Sequence, residues 1–279
     1  DLGARGSAAI GGNVATNAGG NRVVRYGMTR QMVLGLEVVL ADGTVLDMQN
    51  TMLKNNAGFD LKQLFIGSEG SLGVVTRVVL RLEPPPLSTQ TAYCGLVGFD
   101  QALELLRHAR SRLSGLLSSF EIMWPAYYDL ILGTPERRGA PGIRAPLAGR
   151  HGMYVLLETQ GADPETDALR FERFMEAMLE EGRLEDAAVA QSYEDGRAFW
   201  AVRDATAEFS ALMGPRTEFD LGLPIARIGA CTHAIDTALV ARWPSAIVVF
   251  YGHLGDGNIH LQVATPGVEP HPGHAIEEL

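Results

Sequence analysis

Ten residues near the end of the chain constrain its fold more than any other stretch: Tyr251-Gly-His253-Leu-Gly-Asp-Gly-Asn258-Ile-His260. An apolar run, Ala246-Ile-Val-Val-Phe250, precedes them and reads as a buried strand, and the alternation in Ile259-His-Leu-Gln-Val263 reads as a second strand. On a helix, histidines seven residues apart would share a face but sit about 10 Å apart along the axis. On one continuous strand they would lie roughly 23 Å apart on opposite faces. A metal with bonds near ~2 Å accepts neither arrangement. A reversal at Gly255-Asp-Gly257 brings both imidazoles to one place, and glycine permits it. The plainer alternative is a hairpin whose histidines cap a sheet edge.

The 279 residues exceed the usual single domain, which predicts two. Against 33 acidic side chains stand 23 basic ones, a formal net charge of −10, and no basic stripe offsets it, which argues against a nucleic-acid binder. Cys94 and Cys231 make neither a disulfide framework nor a metal-binding Cys-x-x-Cys; they suit a reducing compartment, and the expected location is cytoplasmic. No apolar run approaches transmembrane length and no signal peptide is visible. The chain opens directly into a Gly-rich motif and closes on what reads as the first turns of a helix, Ala275-Ile-Glu-Glu-Leu279, so it is expected to be a piece of a longer protein.

Residues 5–27 are dominated by small side chains, with Gly11, Gly12, Gly19 and Gly20 in pairs. Such a segment lets backbone amides approach a flat or phosphorylated ligand, or else is a packed glycine-rich loop; it matches neither a Walker loop nor Gly-x-Gly-x-x-Gly. Met32–Ala41 and Thr44–Met48, joined at Asp42-Gly43, form a hairpin signal. The turn Gly67-Ser-Glu-Gly70 then leads toward a strand at Arg77–Leu82, with Glu69 as an acceptor beside it. Pro84-Pro-Pro86 places a domain boundary, giving domains 1–86 and 87–279. Beyond it, strands are expected near 91–99, 118–123 and 153–159. Helices are expected near 101–113, 164–181 with Asp163 as N-cap, 195–212 and 225–241. Hairpins among alternating helices imply an antiparallel sheet, and the fold class is α+β.

Taken together, Ile10-Gly-Gly-Asn-Val-Ala-Thr-Asn-Ala-Gly-Gly20, Arg25-Tyr-Gly27, Leu34–Leu46 and Lys54–Gly73 resemble the flavin-dependent 2-hydroxy-acid dehydrogenases of the vanillyl-alcohol-oxidase type of FAD fold, nearest to their D-2-hydroxyglutarate branch, with D-lactate and glycolate dehydrogenases as relatives. Phe199-Trp-Ala-Val-Arg203, Asp220-Leu-Gly-Leu-Pro224 and His253–His260 extend the likeness, which is weakest between about 125 and 195. The resemblance implies a partial FAD-binding domain, its second lobe only, followed by an α+β substrate and metal domain. It implies FAD contacts from Gly11, Gly12, Asn13, Thr16, Asn17, Gly19, Gly20, Glu69, Gly70, Gly73 and Val74. It places His253 and His260 as ligands of a divalent metal, zinc or manganese, Arg203 on the substrate carboxylate, and Asn258 and Gln262 beside the substrate, with His260 and Arg203 as the catalytic pair. The implied reaction oxidises a D-2-hydroxy acid to the 2-oxo acid, with hydride passing to flavin. An electron-transferring flavoprotein, a quinone or a cytochrome would accept the electrons.

Departures from that family pattern qualify the expectation. Its pyrophosphate-binding lobe and its Glu-His-Gly motif are not in this sequence, and His271 and His274 are not promoted in their place. Glu218 stands where hydroxyglutarate enzymes carry lysine, Gln262 where they carry asparagine, and position 207 is alanine beside Thr206. A carboxylate at Glu218 would repel a dicarboxylate substrate. Two other readings are an inactive fragment unable to hold FAD alone and a metal-dependent hydrolase, which leaves the paired-glycine segments unexplained.

Overall fold

In a computed structural model of the protein, which describes residues 2–135 and 137–279, the chain forms two compact units, Asp1–Pro85 and Pro86–Leu279.

The first unit is built on an antiparallel three-stranded sheet, ordered β2-β1-β3. Strand β1 spans Val33–Val39, β2 Val45–Met48 and β3 Val74–Leu80. The expected hairpin forms, with Val39 opposite Val45 and Leu36 opposite Met48. In its turn Gly43 takes a φ of +85° and the Asp42 carboxylate accepts from the Thr44 N–H at 2.9 Å. Three short helices, α1 (Ile10–Ala15), α2 (Val23–Tyr26) and α3 (Thr29–Met32), precede the sheet, and α4 (Lys62–Phe65) precedes β3. The paired glycines Gly11 and Gly12 therefore lie in a helical turn rather than a loop. Tertiary packing overrides their poor helix propensity: Val14, fully buried, joins Val33, Leu36, Val38, Phe65 and Ile66 in the core of this unit. Strand β3 also starts three residues before the expected 77, which puts Val74 on the strand.

The second unit carries a seven-stranded sheet, ordered β10-β12-β11-β5-β8-β4-β9, in which every pairing is antiparallel. Its elements are β4 (Ser88–Leu96), α5 (Phe99–Arg112), β5 (Leu117–Met123), α6 (Pro125–Leu132), β6 (Gly133–Thr134), β7 (Arg137–Arg138), β8 (Met153–Gly161) and α7 (Pro164–Glu180). These are followed by β9 (Asp186–Val189), α8 (Tyr193–Arg203), α9 (Phe209–Met213), β10 (Arg216–Gly222), α10 (Ile228–Arg242), β11 (Ile247–His253), β12 (Asn258–Ala264) and α11 (Gly273–Glu277). Helix α7 starts as its sequence predicts, with Pro164 in the first turn and the Asp163 carboxylate accepting from the Thr166 N–H at 3.1 Å.

Helix α6 and strands β9 and β10 are not expected from the sequence, nor are the short helices α1–α4 and the two-residue strands β6 and β7. Helix α6 looks like the entrance to a proline loop, yet Pro125 occupies the first helical turn, where a missing N–H costs nothing. Strands β9 and β10 are an edge strand of four residues and one whose polar residues alternate with Thr217, Phe219 and Leu221. The single helix expected over 195–212 is interrupted: α8 ends at Arg203, a 3-10 turn spans Ala205–Glu208, and α9 follows. There the carbonyls of Val202 and Arg203 accept from the buried Tyr127 hydroxyl at 2.8 and 2.7 Å. Tyr127 and Tyr128 of α6, Val202 of α8 and Phe209 of α9 pack in one core cluster with Tyr93, Met123, Tyr154, Leu156, Val249, Tyr251 and Ala264 of the sheet.

Candidate active site

Strands β11 and β12 pair with His253 opposite Asn258, Tyr251 opposite His260 and Val249 opposite Gln262. Residues directly opposite in an antiparallel pair share a face, and period-two alternation keeps Asn258, His260 and Gln262 on it. The reversal is at the expected place: the N–H groups of Asp256 and Gly257 donate to the His253 carbonyl at 3.2 and 3.0 Å. Gly257 has a φ of +84°, and a Cβ there would lie 2.5 Å from the Leu223 carbonyl oxygen. The two imidazole rings end with centroids 5.3 Å apart and planes at 81°.

Both histidines are oriented through Nδ1. That of His260 is held by the Asp220 carboxylate, its cross-strand neighbour on β10. That of His253 lies 2.8 Å from each oxygen of Glu121, with its hydrogen bond directed at Oε1. A carboxylate acceptor requires the hydrogen on Nδ1, so each ring presents Nε2.

Glu121 comes from β5, where all seven residues are buried, and its side chain is 1 % exposed. Its Oε2 accepts from Arg203 Nε at 2.7 Å and its Oε1 from the Ser119 hydroxyl at 3.1 Å. Burial by itself would raise the Glu121 carboxyl, but His253 and Arg203 outweigh it and hold it at about 2. Burial likewise depresses His253, and Glu121 reverses this and raises it. His260 is lowered by burial and by the charges of Arg203 and His253, against Asp220. The buried Arg203 guanidinium stands 5.1 Å from the Tyr251 ring centroid, and that ring lies 4.9 Å from His260. Glu121 was not singled out in the sequence. The signal was there: one charge inside Leu117-Ser-Ser-Phe-Glu-Ile-Met, a strand otherwise free of charge.

Glu218, opposite Gln262, does not stand as a bare carboxylate. Arg216 Nη2 lies 2.5 Å from its Oε1, while Arg216 Nε donates to Gln262 Oε1 at 3.0 Å and Nη1 to the Ser210 hydroxyl at 3.1 Å. A cation therefore sits beside the Glu218 anion and offsets its repulsion of a dicarboxylate. Asn258 anchors the turn through its N–H, which donates to Asp256 Oδ1 at 3.0 Å.

The divalent-metal expectation finds, among the described residues, two imidazoles and no third donor beside them. Among the described residues no group of three or more His, Cys, Asp or Glu side chains is placed to hold a metal ion. A catalytic zinc takes three protein ligands, so the pair is an incomplete set, although imidazoles tied to carboxylates through their second nitrogen are the kind that metals use.

In the first unit the two glycine-containing segments are joined directly. The N–H groups of Gly67 and Glu69 donate to the carbonyls of Val14 and Ala15 at 3.0 and 2.9 Å. The expected flavin contacts then divide by what they already touch. A Cβ added at Gly11, Gly12 or Gly70 would meet nothing within 4 Å, so these backbones lie open to a ligand. Gly19 and Gly73 instead pack against their own chain, Gly19 on Met28 and Val23, Gly73 on Val38 and Val39. The Gly20 carbonyl accepts from Val23 N–H at 3.3 Å. Thr16 Oγ1 donates to the Gly12 carbonyl at 2.9 Å, and Asn17 Oδ1 accepts from Arg30 N–H at 2.9 Å, so both side chains serve the local fold. Asn13 is half-buried, Glu69 takes an unusual φ of +53°, and Val74 is 64 % exposed, leaving polar and apolar surface beside Gly70. Open backbone, polar side chains and an uncovered apolar strand residue together fit a flat, phosphorylated ligand such as FAD.

No described helix is long and apolar enough to cross a membrane. The chain is 44% identical over 267 residues to a protein of Bos taurus and 41% identical over 265 residues to one of Arabidopsis thaliana, each named D-2-hydroxyglutarate dehydrogenase, mitochondrial. It is 37% identical over 273 residues to a putative D-lactate dehydrogenase, mitochondrial, of Schizosaccharomyces pombe. Each alignment takes in 95% of this chain but only 47%, 46% and 51% of those relatives, so the chain spans about half their length. The cytoplasmic expectation finds no support in those names. Among solved structures, an alkyldihydroxyacetonephosphate synthase matches with a TM-score of 0.68 at 14% identity, over 96% of this chain and 50% of that one. A 4-ethylphenol oxidase from Gulosibacter chungangensis matches at 0.59 and 15%, over 92% and 55%. These share the fold. Residues 1–49 match a family described as FAD binding domain. Residues 85–279 match the C-terminal domain of the FAD linked oxidases, and the chain belongs to that family.

Proposed function

We propose that the protein oxidises a D-2-hydroxy acid to its 2-oxo acid with FAD as the electron acceptor, and that the second unit supplies the substrate site. One observation carries this reading: Arg203 and His260 flank the same Tyr251 ring on one face of the sheet. A guanidinium is a carboxylate partner, and an imidazole whose Nδ1 is held by Asp220 presents a lone pair at Nε2. A 2-hydroxy acid has its carboxylate and hydroxyl on neighbouring carbons, so the two groups can address one molecule. The relatives named D-2-hydroxyglutarate and D-lactate dehydrogenases support the substrate class.

In this assignment Arg203 binds the carboxylate through its terminal nitrogens, which Glu121 does not take and of which Nη1 lies 4.0 Å from Asp204 Oδ1. His260, favoured neutral by its surroundings, takes the hydroxyl proton at Nε2 as the C2 hydrogen departs with its electron pair. FAD, when bound, would supply the two-electron acceptor, and the open backbone at Gly11, Gly12 and Gly70 would help to hold it. The paired Arg216 and Glu218 stand on the same face as Gln262, with Arg216 the cation that a second carboxylate would address.

A second assignment uses the same two rings. With a divalent ion on Nε2 of His253 and His260, the ion would polarise the hydroxyl, and His260 would be a ligand rather than a base. The carboxylate held by each Nδ1 favours it. Steady-state 2-oxo acid formation from D- and L-2-hydroxy acids, with a dye acceptor, tests the function. D-isomers are expected to turn over and His260→Ala to abolish it; no turnover of any D-isomer by flavin-loaded protein would overturn the proposal. Loss of turnover in a chelator, restored by zinc or manganese, selects the second assignment, and indifference to chelator the first.

A further inference from the structure

We infer that Glu121 is a positioning residue that fixes which atoms of Arg203 and His253 are offered to a ligand, an inference that rests on the function proposed above. A carboxylate buried on an all-buried strand is costly unless its charge is matched and its lone pairs are filled. Here Arg203 Nε, His253 Nδ1 and the Ser119 hydroxyl match the charge and donate to both oxygens.

The consequence for each partner is specific. An arginine can grip a carboxylate side-on, through Nε and one terminal nitrogen, or end-on, through both terminal nitrogens. With Nε given to Glu121 at 2.7 Å, the side-on edge is spent and only the end-on edge remains. A histidine can carry its neutral hydrogen on either nitrogen. With Nδ1 held at 2.8 Å by an acceptor-only group, Nε2 is the atom presented. One side chain thus sets the approach direction at two residues that lie on different elements, α8 and β11. The rest of the chain fixes the carboxylate in turn, since β5 is hydrogen-bonded to β11 with Glu121 directly opposite His253.

Glu121→Gln distinguishes this role from that of a buried ion pair that merely stabilises the fold. The amide keeps the shape but removes the charge and replaces one acceptor oxygen with an NH2 donor, so it can no longer hold Arg203 Nε–H and His253 Nδ1–H on separate oxygens. Histidine nitrogen NMR on the complete, FAD-loaded protein reads the tautomer directly. Nδ1 of His253 is expected to be protonated in the parent protein, whatever the charge of the ring. In Glu121→Gln, either the His253 signal shifts to the Nε2–H tautomer or the KM for D-lactate and D-2-hydroxyglutarate rises at least tenfold, with FAD retained. An unprotonated Nδ1 in the parent protein overturns the inference, even if the variant fails to fold. An unchanged tautomer and unchanged KM, with only a lower melting temperature, overturns it too. If the parent protein oxidises no hydroxy acid, the function fails while the tautomer still tests Glu121.

Discussion

Arg203 stands over the face of Tyr251, its guanidinium carbon 5.1 Å from the ring centroid, although the two residues come from a helix and from a strand. Helix α8 ends at Arg203, where the Tyr127 hydroxyl holds the last carbonyls, and the side chain leaves over the sheet toward Glu121. The ring gives a buried cation an electron-rich surface worth about 2 kcal/mol when desolvated. Tyr251→Leu is therefore expected to lower stability and raise the KM for hydroxy acids, while Tyr251→Phe, which keeps the ring, stays near the parent KM. Steady-state kinetics with urea unfolding checks both.

Acid should unfold the second unit partly through Glu121. Its carboxyl is held at about 2 in the folded chain, below the ordinary 4.5, so its contribution is fully present above 4.5 and is lost as pH falls from there toward 2. A lowering of that size corresponds to on the order of 3 kcal/mol. Unfolding free energies measured from pH 7 down to pH 3 should fall less steeply for Glu121→Gln than for the parent chain.

The hairpin turn can be tested without kinetics. Gly257→Ala is expected to cost about 1–3 kcal/mol, because the left-handed φ of +84° disfavours a side chain and the Leu223 carbonyl blocks its Cβ. Gly222→Ala, where a Cβ would meet nothing within 4 Å, is expected to be near neutral. Thermal unfolding of the two variants compares them.

How much of this was legible in the sequence follows from where the information lies. The His253–His260 reversal was legible because it is local: two apolar runs and a glycine turn specify a hairpin within 18 residues. The Asp42-Gly43 hairpin and the start of α7 at Asp163 are local in the same way. Glu121, Tyr127 and Arg216 were not legible, because their meaning is set by partners such as Arg203, 82 positions away from Glu121, that only the sheet order brings together. The break after Arg203 has the same origin, since a hydroxyl from α6 ends a helix that the local sequence would continue.

Glu218 read as a repulsive charge in the sequence, whereas the structure gives it Arg216 as a partner at 2.5 Å. Glu218→Ala releases Arg216 Nη2 from that partner. The KM for D-2-hydroxyglutarate is expected to fall several-fold, with that for D-lactate unchanged. Equal changes for both substrates would show that the pair does not face the substrate side chain.

Anaerobic, single-turnover reduction of the bound flavin tests the central claim most directly. D-2-hydroxy acids should bleach the flavin of the complete protein, and their L-isomers should not. His260→Ala should retain the flavin while its reduction slows by about 10²–10⁴-fold, the range of a lost general base. A bound flavin that no D-2-hydroxy acid reduces at saturating concentration, or one that His260→Ala reduces at the parent rate, would contradict the account.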